Sequence, residues 1–284
     1  MRKELHEENR LSWNEATKAH NSHKGDQAAF FRQGGSTLFE EEKLLLGDVK
    51  GRSVLHLQCN AGQDTLSIAQ LGAHVTGVDI SDTAIEFARR LSAESGIPAT
   101  FQRMDVYDWF VEANRQSLRF DVVFCSYGAI CWLSDLKAWA TGIEALLKPG
   151  GRFVIVDFHP VAMMFDEKLK RAYPYFSNGN ALTWEQGISD YVAFSEIRLP
   201  GTTYLEGVKD FKNPYHSHEF QWGTAEIITA LLEANLALTS FKEYPYASQF
   251  KPYESMQRIG DRWLLPDNEP NIPLMYSITA AKPS

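Results

Sequence analysis

The centre of the chain alternates short apolar runs with segments whose apolar residues recur at helical spacing. The apolar runs predict five β-strands, at residues 54–57, 75–78, 99–102, 120–124 and 153–156. The helical segments begin at Gly62, at Ser81 or Asp82, and at Leu136. Strands that alternate with helices form a parallel sheet through right-handed crossovers, so the pattern predicts an α/β fold.

The flanking regions have less regular patterns. Residues 1–50 are predicted to be helical with breaks, and Thr37 to Glu40 has the spacing of a capping box before a helix that ends at Gly47. Residues 160–222 are too long for a plain loop and are rich in Tyr, Phe, Asn, Gly and Pro, so we interpret them as a lid. The lid has possible strands at 191–196 and 202–205, and the chain ends with a predicted helix at 224–234 and strands at 237–244 and 275–280.

Composition narrows the class of protein. The 284 residues carry a net charge of −8 without a basic stretch, which argues against a nucleic-acid partner. No apolar run is long enough to span a membrane, and the charged N-terminus is unlike a signal peptide. The three cysteines, Cys59, Cys125 and Cys131, are too few for a disulfide framework. We therefore expect a cytoplasmic protein whose partner is a small molecule, with no oligomeric state specified.

The turn after the first strand carries the most informative residues. In an open α/β sheet ligands bind at the carboxyl ends of the strands, where a helix N-terminus offers free backbone N–H groups. Asp79 ends the second strand and is placed to accept both hydroxyls of a ribose. An N-cap role is the alternative for Asp79, although Ser81 and Asp82 are already available as caps. A dinucleotide enzyme needs G-x-G-x-x-G, and here Gln58 and Asn60 occupy glycine positions.

These motifs together resemble the class I S-adenosylmethionine-dependent methyltransferases. More narrowly, the first motif resembles a small-molecule branch in which Leu-His-Leu-Gln-Cys replaces the usual glycine-rich sequence. The resemblance covers most of the chain and includes residues 13–14, 55–65, 76–81, 104–105, 120–126, 147–153 and 273–277. It implies a Rossmann-like fold with helices on both faces of a mostly parallel seven-stranded sheet, whose last strand is antiparallel. The implied domain is 51–284, with residues 1–50 and the 160–222 lid covering the site.

The resemblance also implies a role for individual residues in binding S-adenosylmethionine. The turn from Gln58 through Cys59 and Asn60 to Gly62 would hold the methionine moiety, and Asp79 would bind the ribose. Residues expected around the adenine and the reacting end are Ile80, Met104, Asp105, Val106, Ser126 and Tyr127. Trp13 is a candidate for contact with the sulfonium, because aromatic faces attract cations, with core packing as its alternative.

Proton removal from a hydroxyl or amine acceptor would require a base. His159 follows the fifth strand, and strand alternation puts Asp157 on the same side, so the two are predicted to form a carboxylate-oriented imidazole. Capping of the lid's entry turn is the alternative for His159. His20 and Tyr191 are further candidates. His56, in the first strand, is interpreted as a satisfied core histidine.

No metal site is predicted. His216-x-His218-Glu219 has alternating ligands but no third ligand of obvious spacing, so a hydrogen-bonding pair in the lid is the favoured interpretation. The sequence thus predicts methyl transfer from S-adenosylmethionine to a small, aromatic or heterocyclic metabolite. A non-catalytic S-adenosylmethionine-binding protein and a nicotinamide oxidoreductase are the two alternatives.

Overall fold

A computed structural model describes residues 1–284 and has a seven-stranded sheet at its centre. The helices are Lys3–Ser22 (α1), Gln27–Arg32 (α2), Glu40–Leu46 (α3), Gln63–Gln70 (α4), Asp82–Ser95 (α5), Val106–Arg115 (α6), Leu136–Leu146 (α7), Tyr191–Phe194 (α8) and Thr224–Glu233 (α9). The strands are Ser53–Leu57 (β1), His74–Asp79 (β2), Thr100–Arg103 (β3), Phe120–Ser126 (β4), Leu147–Phe158 (β5), Leu182–Trp184 (β6), Ser217–Glu219 (β7), Ala237–Tyr244 (β8), Tyr246–Ser248 (β9), Gln257–Ile259 (β10), Arg262–Leu264 (β11) and Met275–Ala281 (β12).

The order of the central sheet is β3-β2-β1-β4-β5-β12-β8. Strands β1 to β5 are parallel, and β12 is antiparallel to both of its neighbours. The predicted Rossmann-like fold, with a mostly parallel sheet and an antiparallel last strand, is confirmed. The strand order reverses between β1 and β4, and such a reversal opens a crevice at the carboxyl ends of the strands.

Both faces of the sheet are covered by helices. On one face, alternate residues of β1 and β4, such as Leu55 and Val123, pack with α6, α7 and α9. The fully buried Trp139 of α7 lies in this cluster. On the opposite face, Val54 and Phe124 pack with α3 and α4. Burial on both faces explains why these strands are apolar without interruption.

Four local predictions were wrong or incomplete. Helix α6 was not predicted, and the predicted strand at 191–196 contains the short helix α8, which Asp190 caps through the N–H of Ala193. Residues 202–205 form no strand. The predicted capping box does not form: the hydroxyl of Thr37 donates to Asp64 at 2.6 Å, and at the start of α3 the N–H of Phe39 donates to the carboxylate of Glu42.

The N-terminal helix α1 is held against both the sheet domain and the lid. It packs on α5, and Asn9 exchanges two hydrogen bonds with the backbone of His218 in β7, at 2.9 and 2.7 Å. In the last turn of α1, the amide oxygen of Asn21 accepts from Gln63 at the start of α4. The lid itself contributes the two-stranded sheet β6–β7. No helix of the chain is both long and apolar enough to span a membrane.

Candidate functional site

A cavity of 1060 Å³ lies at the carboxyl ends of the central strands. Its floor comes from the ends of β1, β2 and β4, and its roof from α1 and from residues 183–199 of the lid. The cavity brings together most of the predicted site residues, namely Trp13, His20, Gln58, Cys59, Asn60, Asp79, Ile80, Met104, Asp105, Val106, Ser126, Tyr127 and Tyr191. Three predicted residues, Gly62, Asp157 and His159, do not line it.

The turn after β1 has a left-handed backbone at three positions. Gln58 has a φ of 53°, Asn60 of 47° and Gly62 of 81°. At Gln58 and Asn60 the resemblance expects glycine. These two residues therefore have side chains at positions whose backbone conformation glycine adopts more readily. Asn60 stabilises the turn with its own side chain, which accepts from the N–H of Ala61 at 2.7 Å.

Gly62 has a packing role. A Cβ at this position would lie 2.7 Å from Cβ of Ala88 and 2.8 Å from the ring of Phe101. Because Gly62 does not line the cavity, its predicted contact with the methionine moiety stays a prediction. The absence of its side chain lets the start of α4 approach α5 and β3.

Asp79 occupies the edge of the cavity at the end of β2. One carboxylate oxygen accepts from the N–H of Asn60 and the other from the N–H of Ser81, both at 2.8 Å. Each oxygen keeps a second lone pair for a ligand hydroxyl. Burial raises the pKa of Asp79 to about 6, although the backbone N–H groups oppose the rise. Ser81 caps α5 by accepting from Ala84, so Asp79 is not needed as the cap.

Gln58 presents an unpaired acceptor. Its side-chain nitrogen donates to the carbonyl of Ala129 at 2.7 Å, which fixes the amide, whereas Oε1 is buried and has no hydrogen-bond partner. A buried acceptor without a donor is costly. A ligand ammonium or N–H group in the cavity would satisfy it.

A hydrogen-bonded group of side chains forms the floor between β1 and β4. His56 bonds Thr65 at 2.8 Å, and the hydroxyl of Ser126 donates to Asp64 at 3.1 Å. Burial lowers the pKa of His56 to about 4, so the ring is neutral near pH 7. His56 also lines the cavity, which the core-histidine interpretation did not include.

Lys24 is a cavity residue that the sequence analysis missed. It lies in the loop between α1 and α2, and its ammonium forms no hydrogen bond or ion pair with the protein. Burial lowers the pKa of Lys24 to about 8, and the charge of Asp64 opposes that shift. An unpaired ammonium beside the first turn of α4 can bind an anionic group.

The pocket beyond Asp79 is apolar with one carboxylate. Ile80, Met104 and Val106 line it together with Asp105. Asp105 accepts from His6 at 2.7 Å and from the N–H of Tyr107 at 2.9 Å. Burial alone would raise the pKa of Asp105, but the hydrogen bond and charge of His6 outweigh it and the pKa is lowered.

Aromatic rings form the opposite wall. Trp13 packs edge-on against Trp132 at 5.5 Å and against Tyr191 at 6.5 Å between ring centroids. His20 lies 4.3 Å from the Tyr191 ring and bonds the carbonyl of Ser189 at 2.9 Å. Burial lowers the pKa of His20 to about 4, so at neutral pH this wall carries no positive charge that would repel a cation.

The predicted pair of Asp157 and His159 does not form. Asp157 accepts from the N–H groups of Ala129 and Ile130, at 3.2 and 3.1 Å, and so holds the turn after β4. The ring of His159 bonds Glu243 of the edge strand β8 at 3.0 Å. The N–H of His159 donates to the carbonyl of Leu274, and Nδ1 of His159 accepts from the N–H of Val161, so His159 stabilises the turn after β5.

The lid histidines also separate. His216 lies 3.2 Å from Glu185, and His218 bonds Glu8 and Thr183 at 2.7 and 3.0 Å. No cluster of three or more His, Cys, Asp or Glu side chains is arranged to hold a metal ion. Glu219, the third residue of that motif, instead lines the cavity.

Comparison with known proteins agrees with this geometry. Residues 54–151 match the family model described as a methyltransferase domain, which is about a third of the chain. The ubiquinone biosynthesis O-methyltransferase of Bordetella avium (strain 197N) is 30% identical over 123 residues, which are 43% of this chain and 49% of that protein. The chain therefore spans about half the length of the curated relatives it matches.

Solved structures are similar over more of the chain. The CcbJ methyltransferase from Streptomyces caelestis is 14% identical with a TM-score of 0.59, covering 97% of this chain and 99% of that one. A putative S-adenosylmethionine-dependent methyltransferase from Listeria monocytogenes is 19% identical with a TM-score of 0.55, covering 86% and 97%. The fold is thus that of the class I S-adenosylmethionine-dependent methyltransferases.

Proposed function

We propose that this chain, which has the fold of the class I S-adenosylmethionine-dependent methyltransferases, transfers a methyl group from S-adenosylmethionine to a small aromatic acceptor. The observation that carries the proposal is Asp79. Its carboxylate lies in the cavity at the end of β2, beside the left-handed turn after β1, with one lone pair of each oxygen still available. A ribose diol supplies two donors for those lone pairs.

The donor set of the cavity fits the rest of the cofactor. The unpaired Oε1 of Gln58 would accept from the ammonium of the methionine part, and Lys24 would pair with its carboxylate. Ile80 and Met104 would pack on the adenine, with Asp105 within reach of its amino group. The ammonium and the carboxylate of the cofactor would thus each meet a group that has no hydrogen-bond partner within the protein.

The cofactor supplies a methyl group on a sulfonium sulfur, and the chain supplies alignment and a dry site. The aromatic wall of Trp13, Trp132 and Tyr191 would orient a flat acceptor and face the sulfonium. The turn from Gly128 to Ile130 lies between these rings and the floor. Asp157 fixes this turn, because its carboxylate accepts from the three backbone N–H groups. Asp157 is therefore a positioning residue, and neither His20 nor Tyr191 is required to carry charge.

Two observations favour an enzyme over the alternatives. A cavity of about 1060 Å³ lies at the upper end of the range of ligand pockets, which leaves room for an acceptor beside the cofactor. Side chains at Gln58 and Asn60 hinder the close backbone approach that a dinucleotide pyrophosphate needs. The matched relatives are named O-methyltransferases, which favours a hydroxyl as the methylated group.

The first test is calorimetric titration of S-adenosylhomocysteine into the protein, with NADH as the comparison ligand. We expect micromolar binding of S-adenosylhomocysteine alone. Binding of NADH in its place would indicate an oxidoreductase and overturn the proposal. Binding of neither ligand would also contradict it.

Replacing Lys24 by methionine should weaken S-adenosylhomocysteine binding about 10-fold, because one charge-assisted hydrogen bond is worth roughly 1.5 kcal/mol. The affinity for 5′-methylthioadenosine should not change, since that ligand lacks the carboxylate. Calorimetry with both ligands measures the difference. Lys18→Met, at an exposed position of α1, is the control for loss of a positive charge. An equal loss of affinity for both ligands would exclude a contact between Lys24 and the cofactor carboxylate.

A further inference from the structure

Strand β7 places one acidic side chain in the cavity on the acceptor side. Ser217 and Glu219 line the cavity, whereas His218, between them, points the other way and bonds Glu8 and Thr183. This is the alternation expected of a strand. The methylation site proposed above has no assigned base, and the inference drawn from Glu219 rests on that proposed function.

The backbone around Glu219 is fixed from two sides. Asn9 of α1 both donates to and accepts from the backbone of His218, at 2.9 and 2.7 Å. The N–H of Phe220 donates to the carbonyl of Cys131 at 2.7 Å. Cys131 adjoins Trp132 of the aromatic wall, so Glu219 is held beside that wall with little freedom of its main chain.

The carboxylate of Glu219 has a single neighbouring donor despite this firm backbone. It forms no ion pair, and the donor that faces it is the buried indole N–H of Trp184. The titratable groups that face it are the Cys131 thiol and the Tyr173 phenol. No positive charge neutralises the carboxylate, so it is available to a ligand.

We propose that Glu219 is a catalytic residue that receives the proton from the hydroxyl group of an aromatic methyl acceptor. The acceptor ring would stack within the wall of Trp13, Trp132 and Tyr191, and its hydroxyl would donate to Glu219. As the oxygen lone pair forms the new O–CH₃ bond, the S–CH₃ bond breaks with its electrons going to sulfur. The O–H proton passes to the carboxylate of Glu219 and later to solvent.

The acidity of Glu219 suits this role. Burial raises its pKa to about 7, and the Trp184 indole opposes the rise. A base works best when its pKa lies near the working pH, because it is then both ionised and able to hold a proton. A protonated amine, in contrast, would form an ion pair with Glu219 and keep its lone pair blocked, so the site favours a hydroxyl.

The test compares the wild-type protein with Glu219→Gln, using catechol as the hydroxyl probe, phenethylamine as the amine probe and S-adenosylmethionine labelled in the methyl group. We expect the wild type to methylate catechol with a rate that rises as pH increases through about 7. Glu219→Gln should lower kcat at least 100-fold and abolish that rise. Glu206→Gln, at an exposed acidic residue of the lid that pairs with Lys209 and does not line the cavity, should leave both unchanged.

Two further measurements separate failure of this inference from failure of the proposed function. Binding of S-adenosylhomocysteine should be equal in wild type and Glu219→Gln, and its loss from the wild type would count against the proposed function itself. If Glu219→Gln kept the kcat and the pH profile of the wild type, the role of Glu219 as the base would be overturned. Methylation of phenethylamine but not catechol, or failure of catechol to bind the protein loaded with S-adenosylhomocysteine, would overturn the hydroxyl class.

Misfolding of the variant can be recognised by its melting temperature. The pKa of Glu219 is raised in the folded state, so ionisation costs stability as pH rises from the unfolded value of 4.5 to about 7. The amide of Glu219→Gln avoids that cost. Its melting temperature at pH 8 should therefore equal or exceed that of the wild type.

Discussion

Asp79→Asn should weaken the binding of S-adenosylhomocysteine about 100-fold. The amide has one oxygen instead of two and no charge, so the variant loses two charge-assisted hydrogen bonds to the ribose, each worth roughly 1.5 kcal/mol. Because the ribose is common to both ligands, 5′-methylthioadenosine should lose as much affinity. This distinguishes Asp79 from Lys24, whose replacement should affect only the ligand with a carboxylate.

Calorimetry of both ligands is the measurement, and Asp82→Asn is its control. Asp82 lies three residues away on exposed surface, where it pairs with Arg10 and Arg103, and its replacement removes the same charge. We expect that control to bind with wild-type affinity. Unchanged binding in Asp79→Asn would remove the ribose assignment, and with it the observation on which the proposed function depends.

The pH dependence of cofactor binding follows from the same carboxylate. Its pKa in the free protein is raised to about 6, and only the ionised form can accept both hydroxyls. The affinity for 5′-methylthioadenosine, which has no carboxylate to pair with Lys24, should therefore be constant above about pH 7 and fall about 10-fold for each pH unit below 6. Titrations between pH 5 and 8 test this expectation. A flat profile in the wild type would contradict it, whereas a flat profile in Asp79→Asn is expected.

Gly62→Ala should destabilise the fold by about 2–4 kcal/mol. The methyl group would have to occupy a left-handed backbone position and would also lie 2.7 Å from Ala88. The first effect costs about 1 kcal/mol and the second about 1–3 kcal/mol. Because the neighbours are a helix and the ring of Phe101 in the core, neither can move aside easily.

Gly96→Ala separates the two contributions. Gly96 has a similar φ of 75°, but no atom lies within 4 Å of the added Cβ. That variant should lose only about 1 kcal/mol. Urea unfolding of both variants measures the difference. Equal losses would mean that α4 tolerates the added methyl group, and the packing role given to Gly62 would be wrong.

The fold was largely predictable from local sequence. Each strand of the parallel sheet is a short apolar run, because both of its faces are buried, and the turn residues between runs mark the helices. Helix α6 was missed although its signal is present, since Val106, Trp109, Phe110 and Ala113 have helical spacing and are buried. The lid was not predictable in this way, because its short strands pair over long distances and have few apolar residues.

The residues of the candidate site likewise differ in whether local sequence could locate them. Asp79 and the turn after β1 could be located because strand ends position them directly. The position of His159 depends instead on how β5 pairs with β12, and a local pattern does not contain that information. Lys24 reaches the cavity because the end of α1 is bonded to α4, and Glu219 reaches it because β7 pairs with β6 and packs against α1. A lone lysine in a polar loop has no sequence signal for such a role.

The two hydrogen bonds between Asn9 and His218 also bear on how the protein is made. They join residues 209 positions apart. At a synthesis rate of roughly 5–20 residues per second, α1 emerges from the ribosome about 10–40 seconds before its partner strand exists. During that interval α1 can dock on α5 but not on the lid. Strands β1 to β5, which carry the cavity floor with Asp79, are also synthesised before β7. On the ribosome the cavity therefore acquires its floor before the part of its roof that the lid supplies.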